Sequence, residues 1–159
     1  AEALFPTSDY EKLFAHARAE GIPFTIHAGE AAGPESIRQA VDYGTARIGH
    51  GVNCIHDKNL MNIIAEKGIT LELCPTSNLN TKIVNDIKDY PIDKIINNKI
   101  KVTINTDNMT VSGTDEASEM KLICDTFGYD GNMRRIFVDN AIDAAFLSNE
   151  MKEKLRGNL

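Results

Sequence analysis

Apolar-rich stretches of strand length alternate along the chain with stretches in which apolar residues recur at helical spacing. Ile22-Pro23-Phe24-Thr25-Ile26, Ile69-Thr70-Leu71-Glu72-Leu73 and Ile100-Lys101-Val102-Thr103-Ile104 have the length and β-branched content of buried strands, and Arg47-Ile48 is a shorter one. Between them, Leu13, Phe14 and Ala17 share one helix face, as do Ile37, Ala40 and Val41, then Leu60, Met61, Ile63 and Ile64, then Ile95 and Ile96. Ser8-Asp9-Tyr10-Glu11 reads as a capping box, Pro34 as a first helical residue, Asp57 and Pro91 as helix starts, and Gly21, Gly44 and Gly68 as stops. Beyond the last strand the pattern predicts helices over 116–127, 133–146 and 150–155.

Strand ends fall near residues 26, 48, 73 and 104, spaced by 22, 25 and 31 residues, which is the rhythm of parallel βα units. No linker or low-complexity run interrupts residues 1–159, so one domain of four βα units is expected. Four units fit either an open doubly wound sheet or half of an eight-unit barrel, a complete barrel needing about 250 residues. No segment approaches the roughly 20 apolar residues of a membrane span. A net charge of -6 leaves no basic patch to neutralise phosphates, so nucleic acid is not an expected partner and a small molecule is. Three cysteines without C-x-x-C spacing, and no apolar signal segment at the start, favour a reducing compartment and a cytoplasmic location. The opening Ala1-Glu2-Ala3-Leu4-Phe5-Pro6 reads as a loop leading out of an earlier element, so the chain is expected to be part of something longer.

Four motifs sit where the predicted strands end: His27-Ala28-Gly29-Glu30, Gly49-His50-Gly51, Cys74-Pro75-Thr76-Ser77-Asn78 and Asn105-Thr106-Asp107-Asn108. Carboxyl ends of parallel strands converge on one face, so these residues can meet around one substrate. His27 and Asp107 pair an imidazole with the hard carboxylate that zinc and several other divalent ions accept. Glu30, in a loop freed by Gly29, faces the same crevice. His50, between two glycines, is suited to take a proton from metal-activated water and to stabilise an oxyanion. Asn108 offers a donor and an acceptor to a heterocycle edge. No base accompanies Cys74, so its segment reads as pocket wall and turn, with Ser77 and Asn78 bonding backbone. His16 and His56 read as structural or surface residues.

Together these motifs resemble the adenosine deaminase family, metal-dependent (βα)8-barrel enzymes of the amidohydrolase group, and the likeness covers essentially the whole chain. It implies zinc-dependent hydrolytic deamination of adenosine to inosine and ammonia, within purine metabolism. It makes His27 and Asp107 zinc ligands, Glu30 the group that protonates the purine at N1, and His50 the base and electrostatic partner of the attacking hydroxide. Gly29 and Asn108 then contact substrate. Many family members carry an Asp where Asn108 stands, and an Asn can donate to purine N7 without a raised pKa. Related enzymes act on adenine or adenosine nucleotides, and these remain alternatives.

The family takes two further zinc-ligand histidines from an H-x-H motif on its first barrel strand, and these 159 residues contain no H-x-H. The resemblance therefore places the chain in the carboxyl-terminal half of the barrel, after strand four, and expects it to be inactive alone. A non-catalytic assembly module is the competing reading. An open half-barrel is expected to expose an apolar inner face and two sheet edges, favouring the missing amino-terminal half or a homo-oligomer as partner.

Overall fold

A computed structural model of the chain describes Glu2 and residues 4–157; Ala1 and Ala3 of the predicted opening loop lie outside the described residues. Four parallel strands, β1 (Thr25–Ala28), β2 (Arg47–His50), β3 (Thr70–Leu73) and β4 (Val102–Ile104), pair in sequence order. A doubly wound sheet reverses strand order at a switch point, whereas sequential order with one helical layer is the curvature of a (βα) barrel. The strands and their helices form such a partial barrel.

The register explains why the helices lie on one side. Ile26, Ile48, Leu71 and Val102 stand in one ladder across the four strands. They pack in a single core with Ile37 and Ala40 of α2 (Pro34–Asp42), Leu60 and Ile64 of α3 (Lys58–Lys67), and Ile92 and Ile95 of a later helix over Ile92–Asn97. Ile123, from the helix over Glu116–Phe127, and Phe137, from the helix over Gly131–Ala144, complete it. Burying one such side chain stabilises by roughly 1.5–3 kcal/mol. Helix propensities differ by only about 0.7 kcal/mol among ordinary residues, so the apolar ladder decides where the helices dock.

The other face of the sheet is polar, which corrects the expected apolar interior. His27, Gly49, Glu72 and Thr103 form the ladder there, preceded by the pair Thr25 and Arg47. Thr25 donates to Glu72 Oε2 at 2.6 Å, and Arg47 Nε lies 3.1 Å from Glu72 Oε1. The Arg47 guanidinium also stacks 3.8 Å from the Phe146 ring centroid, at the amino-terminal end of the strands. This face pairs its charges internally, so it offers little apolar drive to self-association.

Two local expectations also change. The capping box does not form: residues Thr7–Tyr10 wind into a 3-10 turn after Pro6, which puts Ser8 inside the turn rather than ahead of the helix. The helix that follows, α1 (Glu11–Ala19), starts without a side-chain cap and buries no residue, although Phe14 stacks on Tyr43 and meets the Phe24 ring at a tilt. The Cys74-Pro75 segment is not a turn but a helix, α4 (Pro75–Asn80), with Pro75 in its first turn. Asp57 caps α3 as expected, accepting from the Leu60 N–H. Among the described residues, no helix is long and apolar enough to cross a membrane.

Candidate active site

All four motifs lie at the carboxyl-terminal edge of the sheet, as the strand positions require. His27 projects from β1 on the open face, and its ring packs edge-on against His50 with centroids 5.0 Å apart. Gly49 beside it makes room: a Cβ there would fall 2.5 Å from His27 Cδ2. A cleft of about 230 Å³ is lined by His27, Gly49, Glu72, Cys74, Asn105, Thr106, Asp107 and Glu116. His27 and Asp107 thus share one cleft.

His50 ends β2 in a left-handed backbone conformation and is 1% exposed. Its Nε2 lies 3.7 Å from Glu30 Oε2, and its Nδ1 lies 3.1 Å from the Asn78 amide nitrogen. The buried Tyr90 hydroxyl donates to the Asn78 carbonyl at 2.9 Å, which turns the amide N–H toward the ring. Nδ1 is therefore an acceptor, and the neutral ring carries its proton on Nε2. Burial lowers the His50 pKa despite the nearby Glu30 carboxylate, so the ring is neutral at pH 7.

Asp107 also adopts a left-handed backbone conformation, just beyond β4, and accepts from the Ser77 hydroxyl at 2.8 Å. Non-glycine residues rarely take this conformation, at a cost of roughly 1–2 kcal/mol, and it recurs where side-chain placement matters. Ser77 and Asn78 are neighbours on α4, so one short helix holds both Asp107 and His50. The amino terminus of α4 is in turn fixed by the fully buried Glu119, which accepts from the Thr76 N–H at 3.1 Å.

The loop after β1 is fastened on both sides. Glu2 accepts the N–H groups of Gly29, Glu30, Ala31 and Ala32, while the Asn53 amide donates to the carbonyls of Glu30 and Ala32 at 3.0 and 2.9 Å. Gly29 is buried with φ +69°, and a Cβ would meet Ile37 Cδ1 at 2.2 Å, so its N–H and its shape serve the loop rather than an open contact surface. Asn108 caps the short helix Met109–Ser112 by accepting from the Val111 N–H at 3.0 Å, which leaves its amide N–H groups to face solvent.

Cys74 is no nucleophile. Burial pushes its thiol pKa up, and the nearby Asp107 and Glu72 carboxylates push it further, while burial alone raises Cys54 to about 12. Both remain protonated and enclosed, so neither Cys54 nor Cys74 should be alkylated by iodoacetamide at pH 8 in the native protein, as mass spectrometry before and after denaturation will report. Rapid native labelling of Cys74 would contradict the burial.

The adenosine deaminase family profile matches residues 1–159. The chain belongs to that family. It is 44% identical over 159 residues to an adenosine deaminase of Haemophilus ducreyi, a match covering 100% of this chain and 46% of that protein. The chain thus spans about half the length of the curated relatives it matches. An adenine deaminase from Arthrobacter aurescens superposes with a TM-score of 0.92 at 25% identity, covering 98% of this chain and 48% of the other. An amidohydrolase from B. ambifaria with bound Zn superposes with a TM-score of 0.87 at 26% identity, covering 96% of this chain and 43% of the other.

Against this family background, sequence reasoning missed Glu2, Asn53, Asn78, Tyr90, Ser77 and Glu119 as residues that shape the site. Ser77 and Asn78 were expected to bond backbone, whereas their side chains reach Asp107 and His50. Among the described residues no group of three or more His, Cys, Asp or Glu side chains placed to hold a metal ion forms.

Proposed function

We propose that the chain forms the second half of a barrel that hydrolyses adenosine to inosine and ammonia, with zinc as its metal. The observation that carries this reading is Glu30 Oε2 standing 3.7 Å from a buried His50, with the His27 ring edge-on against that histidine. Replacing an amino group on an electron-poor ring needs a nucleophile from water and a proton for the ring nitrogen, and this cluster offers both beside a metal-ligand imidazole.

The residues present fit a metal: His27 and Asp107 bring one nitrogen and one carboxylate to a single cleft, and Gly49 leaves the imidazole room. When bound, zinc supplies a nucleophile at neutral pH by acidifying water. Its remaining protein ligands come from outside these 159 residues.

The His50 tautomer refines the expected role. A ring already protonated at Nε2 presents a donor on the side of Glu30, so His50 would stabilise negative charge on an attacking oxygen there, and Glu30 would accept the water proton and pass it to purine N1. Asn108, its carbonyl held by Val111, keeps its amide N–H groups free to donate to purine N7. Ser77 keeps the Asp107 carboxylate in one orientation.

Adenosine is favoured over adenine or a nucleotide because the relative at 44% identity is an adenosine deaminase, whereas the adenine deaminase stands at 25%. The test is ultraviolet-monitored turnover of adenosine, adenine and AMP by the complete barrel protein with zinc. Expected is a kcat/KM for adenosine exceeding the others by about 100-fold or more. Preference for adenine or AMP, or no turnover of any of the three, overturns the reading.

A further inference from the structure

Glu2 is 8% exposed, and its two carboxylate oxygens gather five donors. Oε1 accepts the Gly29 N–H at 2.7 Å and the Ser36 hydroxyl at 2.6 Å; Oε2 accepts the N–H groups of Ala31 at 2.7 Å, Glu30 at 3.0 Å and Ala32 at 3.2 Å. Four consecutive peptide N–H groups thus turn inward onto one charge, and the carbonyls of Glu30 and Ala32 are pinned from the other side by Asn53. The backbone on both sides of Glu30 is held, and its side chain alone is left to reach His50.

We propose that Glu2 is a positioning residue for Glu30, setting the loop so that the Glu30 carboxylate stands against His50 Nε2. Hydrogen bonds to an ionised acceptor are about twice as strong as neutral ones. Buried N–H groups left without an acceptor are costly, so the loop has no equally good alternative conformation while the carboxylate is in place. Burial pushes the Glu2 pKa up, but the bonds from Ser36 and the loop amides outweigh it and hold the group below the ordinary carboxylate value, ionised at neutral pH. A glutamine of the same shape offers one acceptor oxygen in place of two and points an N–H2 group at the remaining donors. The inference rests on Glu30 being the proton carrier, and its first readout is independent of activity.

That readout is amide hydrogen exchange in the complete protein. Glu2→Gln is expected to speed exchange at Gly29, Glu30, Ala31 and Ala32 by about tenfold or more while the β1–β4 core amides keep their protection. In the same variant kcat for adenosine falls by about tenfold with KM nearly unchanged, because alignment is lost and binding is not. Unchanged loop exchange overturns the proposal whether or not the protein deaminates adenosine. Faster exchange with unaltered kcat overturns the link to Glu30. If Glu2→Gln fails to fold, Ser36→Ala decides: it takes the hydroxyl partner from Glu2 Oε1. Since Ser36 Oγ also accepts the Gly29 N–H at 2.9 Å, the readout is at Glu30, Ala31 and Ala32, which bond Glu2 itself and whose exchange should rise about threefold with a matching fall in kcat. No change in that variant counts against Glu2.

Discussion

Glu30→Gln in the complete barrel protein lowers kcat for adenosine by roughly a thousandfold, with KM moving less than about threefold. Gln keeps the size and the backbone contacts to Glu2 and Asn53, so the loop stays in place and only the capacity to carry a proton is removed. The side chain stands 3.7 Å from His50 Nε2, which in its neutral form is already protonated, so His50 does not take over the transfer. Steady-state rates and a substrate-analogue titration measure the two quantities separately. A variant that turns over within tenfold of the parent rate moves the proton transfer to another residue and sinks the assignment.

Gly49→Ala gives the second large effect, with a different signature. The new methyl falls 2.5 Å from His27 Cδ2, and His27 is exposed on the open face, so the ring can swing away without disturbing the core. Thermal stability should hardly change, whereas zinc content and activity should fall together, by about 100-fold in kcat/KM at limiting metal. Metal analysis of the purified variant, with rescue by excess zinc, reads this directly. Full zinc occupancy with full activity would show that the His27 ring does not need the place it takes over Gly49.

The place of Glu30 and Gly49 was legible because the chemistry repeats at strand ends, which are marked by apolar runs that stop at glycine or polar residues, whereas the room that Gly49 leaves for the His27 ring is visible only in the structure. The same periodicity located α2, α3 and the helix over Glu116–Phe127, where apolar spacing and capping residues agree. It failed at α4, because Pro75, Thr76, Ser77 and Asn78 are turn formers by composition, and tertiary bonds to Glu119, Asp107, His50 and Tyr90 stabilise so short a helix. It failed at Glu2 because the partners are backbone amides more than 25 residues away, which no side-chain pattern reveals. The polar lining of the sheet was readable in principle: Thr25 and His27, Arg47 and Gly49, and Glu72 alternate with the apolar ladder, but the expectation of an apolar barrel interior hid it.

The pair Arg47 and Glu72 on that lining has a consequence for how the sequence can change over evolutionary time. Each charge is mostly enclosed, with 21% and 17% of its side chain exposed, and each is the other's counter-ion. Losing either one strands the survivor, whereas replacing both by well-fitted apolar residues restores neutrality. Drift at one position is blocked until the other has moved, so the two codons should be inherited as a linked unit. Thr25, which donates to the same carboxylate, and Phe146, which covers the guanidinium, should follow whichever pair the lineage keeps.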